Sequence, residues 1–80
     1  MGLKFHRSAR RHRVGIRRQR FVIGSTTPVR VPGGSREGLD LLSWVGLDPR
    51  GEELEITAVD YGNGDLGVFH AMATKYRTKA

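Results

Sequence analysis

The side chains of this sequence best suited to chemistry are histidines and a tyrosine that stand among many arginines. Cleavage of RNA by its own 2′-hydroxyl needs a group that accepts the hydroxyl proton, a group that protonates the leaving oxygen, and cations around the phosphate. His12, His70 and Tyr76 can transfer protons, and the arginines can neutralise the phosphate. Each histidine also has a structural alternative, because His12 can pack on a helix and His70 can bond a neighbouring strand residue such as Glu55.

The basic residues are concentrated in the first half of the chain. Residues 1–36 contain ten Lys or Arg and no acid, whereas all eight acids lie between Glu37 and Asp65. Clustered cations favour nucleic acid as the ligand, because each neutralised phosphate releases condensed counterions. A solvated basic arm and a membrane-surface segment are the alternatives. The residues predicted to bind phosphates are Arg10, Arg11, Arg13, Arg17, Arg18 and Arg20.

The composition excludes several other classes of protein. The chain has no cysteine, so it forms neither a disulfide framework nor a thiolate metal site, and a reducing cytoplasm is the expected location. No two histidines stand at the i, i+4 spacing, and we therefore expect no metal. The string Gly62-x-Gly64-x-x-Gly67 matches a dinucleotide-binding fingerprint, but a predicted strand follows it where that motif needs a helix, so we expect no cofactor. No run approaches about 18 apolar residues, which predicts that no segment spans a membrane. Eighty residues predict a single small domain over positions 1–80.

Local patterns predict helices first and an antiparallel sheet afterwards. Ser8 can cap a short helix that runs to Arg13, and a second helix is predicted over about residues 15–23. Residues 21–23 are too few for periodicity to exclude a strand there. A short strand is predicted at residues 29–31, followed by a meander over residues 39–73. The predicted fold is α+β, with two N-terminal helices packed on a three- to four-stranded antiparallel sheet.

The turn between the two long strands predicts their register. Asp48-Pro49-Arg50-Gly51 has the residue types of a type I turn, which sets Asp48 opposite Gly51. Trp44 then lies on the face away from the core, where it can anchor a protein partner, stack on a base or sit under a helix in a second, minor core. Counting outward from the turn, the predicted core face consists of Leu41, Ser43, Val45, Leu54, Ile56 and Ala58.

The last strand is predicted to extend the same apolar face. Its predicted pairs are Leu54 with Ala73, Ile56 with Ala71 and Ala58 with Phe69. Because side chains alternate along a strand, this register sends His70 and Met72 to the face that carries Glu55.

Three stretches carry a pattern whose order and spacing are familiar. They are an Ala-x-x-His helix start (Ala9 to His12), a Gly-x-Asp-x-x-Gly hairpin entering a Leu-Glu-Ile strand (Gly46 to Ile56), and a His-Ala-Met-x-x-Lys terminal strand (His70 to Lys75). Together they resemble the small BrnT-like toxins of bacterial toxin-antitoxin pairs, within the RelE/ParE superfamily.

The resemblance implies two helices against an antiparallel sheet, and a basic ribonuclease that arrests translation until a cognate antitoxin binds it. The partners it implies are RNA, free or on the ribosome, and an antitoxin protein with an acidic segment. The second helix departs from the pattern, because we expect it to be acidic or mixed in relatives and Arg17, Arg18 and Arg20 make it basic here. The positions that match the family are His12, His70, Lys75 and Arg77.

The leading hypothesis from the sequence is a metal-independent endoribonuclease toxin. In this hypothesis His70 is the acid or base and His12 assists it, while Lys75, Tyr76 and Arg77 neutralise or protonate groups near the scissile phosphate. Two other classes stay open. One is a non-catalytic nucleic-acid-binding module, and the other is a ParE-like inhibitor of a protein target, in which Trp44 would matter more than the histidines.

Overall fold

The computed structural model describes residues 2–77, which form one sheet with a helix packed on it. The elements, in chain order, are β1 (Gly2–Phe5), the 3-10 helix η1 (Arg7–Arg10), α1 (Ile16–Ser25), β2 (Val29–Val31), β3 (Asp40–Leu47), β4 (Glu53–Asp60), β5 (Asp65–Ala73) and the 3-10 helix η2 (Thr74–Tyr76). The strand order in the sheet is β1-β5-β4-β3-β2. Neighbouring strands are antiparallel except β1 and β5, which run parallel.

The predicted fold class is wrong in both of its layers. The described residues form a mixed sheet of five strands and a single α-helix, instead of two helices on a three- to four-stranded antiparallel sheet. Leu3 and Phe5 alternate with Lys4, and this period of two produces a half-buried strand whose apolar side chains pack against the core. The next segment forms only the short helix η1, because its neighbouring arginines repel one another and leave no apolar stripe to bury.

The predicted second helix is confirmed as α1, which also excludes a strand over residues 21–23. Gln19, Val22 and Ile23 are buried, so one side of the helix faces the sheet. The helix ends where the Thr26 hydroxyl donates a hydrogen bond to the Val22 carbonyl at 2.7 Å. It has ten residues, and no helix between residues 2 and 77 is long and apolar enough to cross a membrane. The predicted strand at residues 29–31 is confirmed as β2.

The register between β3 and β4 is one residue away from the prediction. Gly51 has a φ of 80°, so the loop is a type I turn followed by a bulge residue. The Asp48 N–H donates to the Glu52 carbonyl at 2.9 Å, and the Gly51 N–H donates to the Asp48 carbonyl at 3.0 Å. Asp48 therefore pairs with Glu52 and not with Gly51, and β3 turns its other face to the core.

This shift reverses the predicted places of the β3 side chains. Trp44 pairs with Ile56 and only 3% of its surface is exposed, so it is a core residue. Leu41, Ser43 and Val45 lie instead on the side of the sheet away from α1, which we call the open face. The core lies between the sheet and the η1–α1 segment. Its buried members are Ala9, Val14, Val22, Ile23, Leu42, Trp44, Leu54, Ile56, Ala58, Leu66, Val68, Ala71 and Ala73.

A β-bulge in β5 changes the predicted pairing of the last two strands. Leu54 with Ala73 and Ile56 with Ala71 are confirmed, but Ala58 pairs with Val68 and not with Phe69. The extra residue lies between these pairs, so Phe69 and His70 both turn toward the open face while Val68 and Ala71 stay in the core.

Candidate functional site

His70 projects from the bulge of β5 onto the open face. Its Nε2 lies 2.9 Å from Glu55 Oε2 on the adjacent strand, and 30% of the His70 side chain is exposed. The predicted neighbourhood of His70 and Glu55 is therefore confirmed. Because a carboxylate only accepts hydrogen bonds, His70 donates its Nε2–H, and a neutral ring then carries its lone pair on Nδ1.

His12 reaches the same place from the other end of the chain. It follows η1 in a loop that runs to the start of α1 and crosses beside β5. The centroids of the His12 and His70 rings are 5.8 Å apart, and the ring planes meet at 75°. The two imidazoles are therefore in edge-to-face contact, and one small group such as a phosphate can reach both of them at the place where they meet.

The loop that carries His12 is held by a buried amide. The Gln19 side chain is 0% exposed, and its Nε2 donates to the carbonyls of Ala9 at 3.0 Å and Val14 at 2.8 Å. These two carbonyls lie on either side of His12. Within this loop Arg13 has a φ of 59°, a left-handed conformation that costs free energy unless the surrounding structure imposes it. The two hydrogen bonds of the Gln19 amide restrain the loop on both sides of Arg13.

Glu55 connects His70 to the C-terminal segment. Its Oε1 accepts a hydrogen bond from Arg77 Nε at 2.5 Å. Partial burial acts to raise the pKa of Glu55, but the hydrogen bonds from Arg77 and His70 outweigh it, and the pKa lies below the ordinary value. The same contact raises the pKa of Arg77. Glu55 is therefore an ionised carboxylate that orients one imidazole and one guanidinium.

A cleft of about 440 Å³ opens beside His12. Lys75 bonds Glu52 at 2.7 Å, and its ammonium lies 5.2 Å from the centre of the exposed Tyr76 ring. The hydrogen bond with Glu52 raises the pKa of Lys75, which stays a cation. The residues that line this cleft are Arg11, His12, Arg13, Val14, Arg18, Glu52, Ala73, Lys75 and Tyr76.

Arg18 differs from the other predicted phosphate-binding residues. Its Nε donates to Asp48 Oδ2 at 2.6 Å and its Nη2 to Glu52 Oε1 at 2.5 Å, so it ties α1 to the β3–β4 turn. Burial acts to raise the pKa of Asp48, but hydrogen bonds from the N–H of Glu52, the Arg18 guanidinium and the N–H of Arg50 lower it. Arg18 therefore stabilises the packing of α1 against the β3–β4 turn at the edge of the cleft.

The other arginines of residues 7–20 form a cationic surface along η1, the following loop and α1. Within residues 2–77, no carboxylate lies within 4.0 Å of any of them, whereas most acids of the sheet already hold a cation. Arg20 also lies 5.2 Å from the centre of the Phe5 ring. Such an uncompensated surface attracts polyanions. Its members, which we call the arginine surface, are Arg7, Arg10, Arg11, Arg13, Arg17 and Arg20.

The structure thus gathers the predicted catalytic residues and separates Trp44 from them. His12, Lys75 and Tyr76 line the cleft. His70 and Arg77 do not line it, but His70 contacts His12, and Glu55 binds both His70 and Arg77. Trp44 is in the core, so its ring offers no surface to a partner. In the part of the chain that the structure describes, no group of three His, Asp or Glu side chains is arranged to hold a metal ion.

Among the site residues outside the predicted set, two could have been found from the sequence. Glu55 could have been included, because the predicted strand pairing already placed it on the His70 side of the sheet. Gln19 could have been found from its position in the helix, where it stands among apolar residues at the helical spacing, between Ile16 and Ile23. A polar side chain at such a position usually satisfies a buried backbone group.

Comparison with protein families, with curated proteins and with solved structures finds no match to this chain.

Proposed function

We propose that this protein is a metal-independent endoribonuclease that cleaves RNA where His70 meets His12, at the edge of the cleft that His12 lines. The observation that carries the proposal is the pairing of these two imidazoles, which come from opposite ends of the chain and stand 5.8 Å apart. A single histidine on a strand has a structural explanation, but two that meet beside a cationic surface match the needs of a phosphodiester cleavage.

The arginine surface supplies the binding step. A single strand of RNA that lies along Arg10, Arg13 and Arg17 reaches the cleft beside His12, because Arg13 lines both that cleft and a second one of about 520 Å³ with Arg10 and Arg17. Binding through phosphates depends strongly on salt, since each neutralised phosphate releases counterions.

The reaction needs two proton transfers and no outside reagent. One imidazole takes the proton of the 2′-hydroxyl, and the 2′-oxygen then bonds to the adjacent phosphorus. The bond from phosphorus to the 5′-oxygen breaks, and the other imidazole gives that oxygen a proton. The products are a 2′,3′-cyclic phosphate and a free 5′-hydroxyl. His70 suits the role of base, because its bond to Glu55 leaves Nδ1 to accept the proton. His12 is then the acid.

The cations of the C-terminal segment stabilise the charge that develops on the phosphate. Arg77 and Lys75 each hold a carboxylate, on Glu55 and Glu52 respectively. A guanidinium has five N–H donors, so Arg77 can keep Glu55 and still donate to a phosphate oxygen.

The cellular role that we propose follows the resemblance to BrnT-like proteins. In the cytoplasm the protein acts as the toxin of a toxin-antitoxin pair and inhibits translation by cutting RNA. An antitoxin protein with an acidic segment covers the arginine surface and stops the reaction. The test is induced expression, which should arrest growth unless the product of the adjacent reading frame is made at the same time. The His70→Ala variant should not arrest growth.

The decisive experiment is cleavage of labelled RNA by the purified protein in the presence of EDTA, with and without ribosomes. His12→Ala and His70→Ala should each slow cleavage by roughly 10²- to 10⁴-fold, the usual contribution of a general acid or base. Val29→Ala is the matched control. It stands on the open face in line with His70, but three strands away, at a distance of roughly 14 Å. It should cleave like the wild type.

Three outcomes would contradict the proposal. Loss of cleavage in EDTA would show that a metal ion takes part. Full activity in both histidine variants would remove them from the mechanism. Products with a 3′-hydroxyl would exclude attack by the 2′-hydroxyl.

A non-catalytic RNA-binding module is the second candidate. The observation that favours it is that Arg18, Lys75 and Arg77 are already neutralised by carboxylates, which leaves fewer free cations near the histidines. Salt-dependent RNA binding without cleavage, on or off the ribosome, would support this function. A ParE-like inhibitor that contacts its target through Trp44 is not supported, because this side chain is buried.

A further inference from the structure

A further cleft lies on the open face, the same side of the sheet as His70. It has a volume of about 410 Å³, within the range of small-ligand pockets. Its floor is formed by Leu41 and Val59, and its walls by Phe69, by Tyr61 with His6, and by the loop over residues 34–37. The lining is therefore apolar and aromatic, with polar side chains at the rim.

Two backbone features place aromatic rings in this cleft. The bulge in β5 turns Phe69 out of the core and into the cleft, whereas a regular strand would bury it. Tyr61 Oη lies 3.1 Å from His6 Nε2, and this pair rests on Gly67. A side chain at position 67 would place its Cβ 2.5 Å from Tyr61 Oη, so only glycine leaves room for the pair.

The cleft approaches the candidate active site at one point, where its Phe69 is followed by His70. Phe69 and His70 are consecutive and both face outward, so their Cα atoms are roughly 3.8 Å apart. A ligand whose reacting group lies at His70 must extend along β5 or away from it. If it extends toward Phe69, its next group enters an aromatic cleft.

We propose that this cleft binds the nucleobase next to the scissile phosphate of single-stranded RNA, with the base stacked on Phe69. The inference rests on the proposed function and names the substrate class of the same site. The base must be unstacked to enter, so double-stranded RNA is a poor substrate. Arg36 and Glu37, which line the rim, contact the edge of the base and determine which base is preferred.

The test measures binding of a short 2′-O-methyl oligoribonucleotide, which cannot be cut because it lacks the nucleophilic hydroxyl. The comparison is with an oligonucleotide of the same length and charge that has one abasic position, and fluorescence anisotropy gives both affinities. Stacking of one base on an aromatic side chain predicts that the wild type binds the intact strand roughly 5- to 100-fold more tightly. In Phe69→Leu, which keeps most of the apolar volume, this ratio should fall toward one. Val29→Ala, outside the cleft, should keep the wild-type ratio.

The possible failures of the two proposals are distinguishable. A wild-type protein that binds both strands equally, or a Phe69→Leu variant that keeps the full ratio, overturns the base-binding cleft even if RNA is cleaved. Absence of cleavage with the ratio intact overturns the nuclease and leaves the cleft as a base-binding site. If Phe69→Leu unfolds, Phe69→Met is tested in its place, because it also removes the ring, and an unchanged ratio in that variant overturns the proposal.

Discussion

The amide of Gln19 offers a direct test of how the His12 loop is positioned. Gln19→Met keeps the length of the side chain and its apolar contacts but removes both hydrogen bonds to the carbonyls of Ala9 and Val14. Each buried carbonyl left without a donor costs about 1 to 3 kcal/mol. The buried Gln19 Oε1 atom has no hydrogen-bond partner among the described residues. Its removal therefore stabilises the fold by a similar amount, that of one buried polar atom.

The expected net loss is about 2 kcal/mol of unfolding free energy. For a domain of this size, that loss lowers the melting temperature by about 8 to 16 °C. Trp44 is the single tryptophan and is buried, so its fluorescence reports unfolding in urea. Ser25→Ala is the control, because it removes a hydrogen bond from the same helix at an exposed position.

The loop should loosen as well as the fold. At a temperature where Gln19→Met is fully folded, the nuclear Overhauser contact between the His12 and His70 rings should weaken, and RNA cleavage should fall by a larger factor than in Ser25→Ala. A Gln19→Met protein with wild-type stability would show that these two hydrogen bonds do not stabilise the fold. A destabilised protein whose two imidazoles remain in contact would show that Gln19 stabilises the fold but does not position the loop.

Three further predictions concern the fold. Gly51→Ala should lose about 1 to 2 kcal/mol because Gly51 has a φ of 80°, and Gly51→Asn should lose less; equal loss in urea denaturation would exclude the left-handed bulge. Ile56→Ala, at a fully buried position, should lose about 2 to 5 kcal/mol, and a loss below 1 kcal/mol would contradict the core. The lowered pKa of Asp48, which persists despite burial, contributes stability that is present above the ordinary carboxyl pKa of about 4 and is lost as the pH falls through the lowered value. Arg18→Gln should therefore show a shallower fall in unfolding free energy below about pH 5, and parallel curves would contradict this ion pair.

Secondary structure was predictable where the periodic pattern of apolar residues was long. The alternation in β4 identified Leu54, Ile56 and Ala58 as core residues, and this is confirmed. α1 was predicted from a capping and apolar pattern, and it forms within a few residues of the predicted bounds. In these segments, local propensity and tertiary packing favour the same structure.

The errors come from single residues whose backbone conformation the pattern does not reveal. Gly51 can occupy the last position of a two-residue turn or a bulge, and only the second choice buries Trp44. One extra residue at Phe69 similarly turns that ring outward while it preserves the register of Ala71. Both choices depend on what the opposite strand can bury, which is a property of the whole sheet.

In the candidate site, the residue types were predictable from the sequence, but one of the two key contacts was not. The residue types for phosphate chemistry were evident, and the meeting of His70 with Glu55 followed from the strand register. The approach of His12 to His70 did not, because it requires the parallel pairing of β1 with β5 and the anchoring amide of Gln19. Long-range strand pairing leaves little trace in a short alternating segment such as residues 2–5.

The parallel pairing of the first strand with the last has a consequence for the order of assembly. During synthesis, β1 and the loop that carries His12 emerge from the ribosome long before β5 exists, so they have no partner to dock on. The two imidazoles meet only after the final strand has joined the sheet, a slow kind of closure because it brings together distant parts of the chain. The His12–His70 pair is therefore absent from any nascent polypeptide whose β5 has not yet left the ribosome.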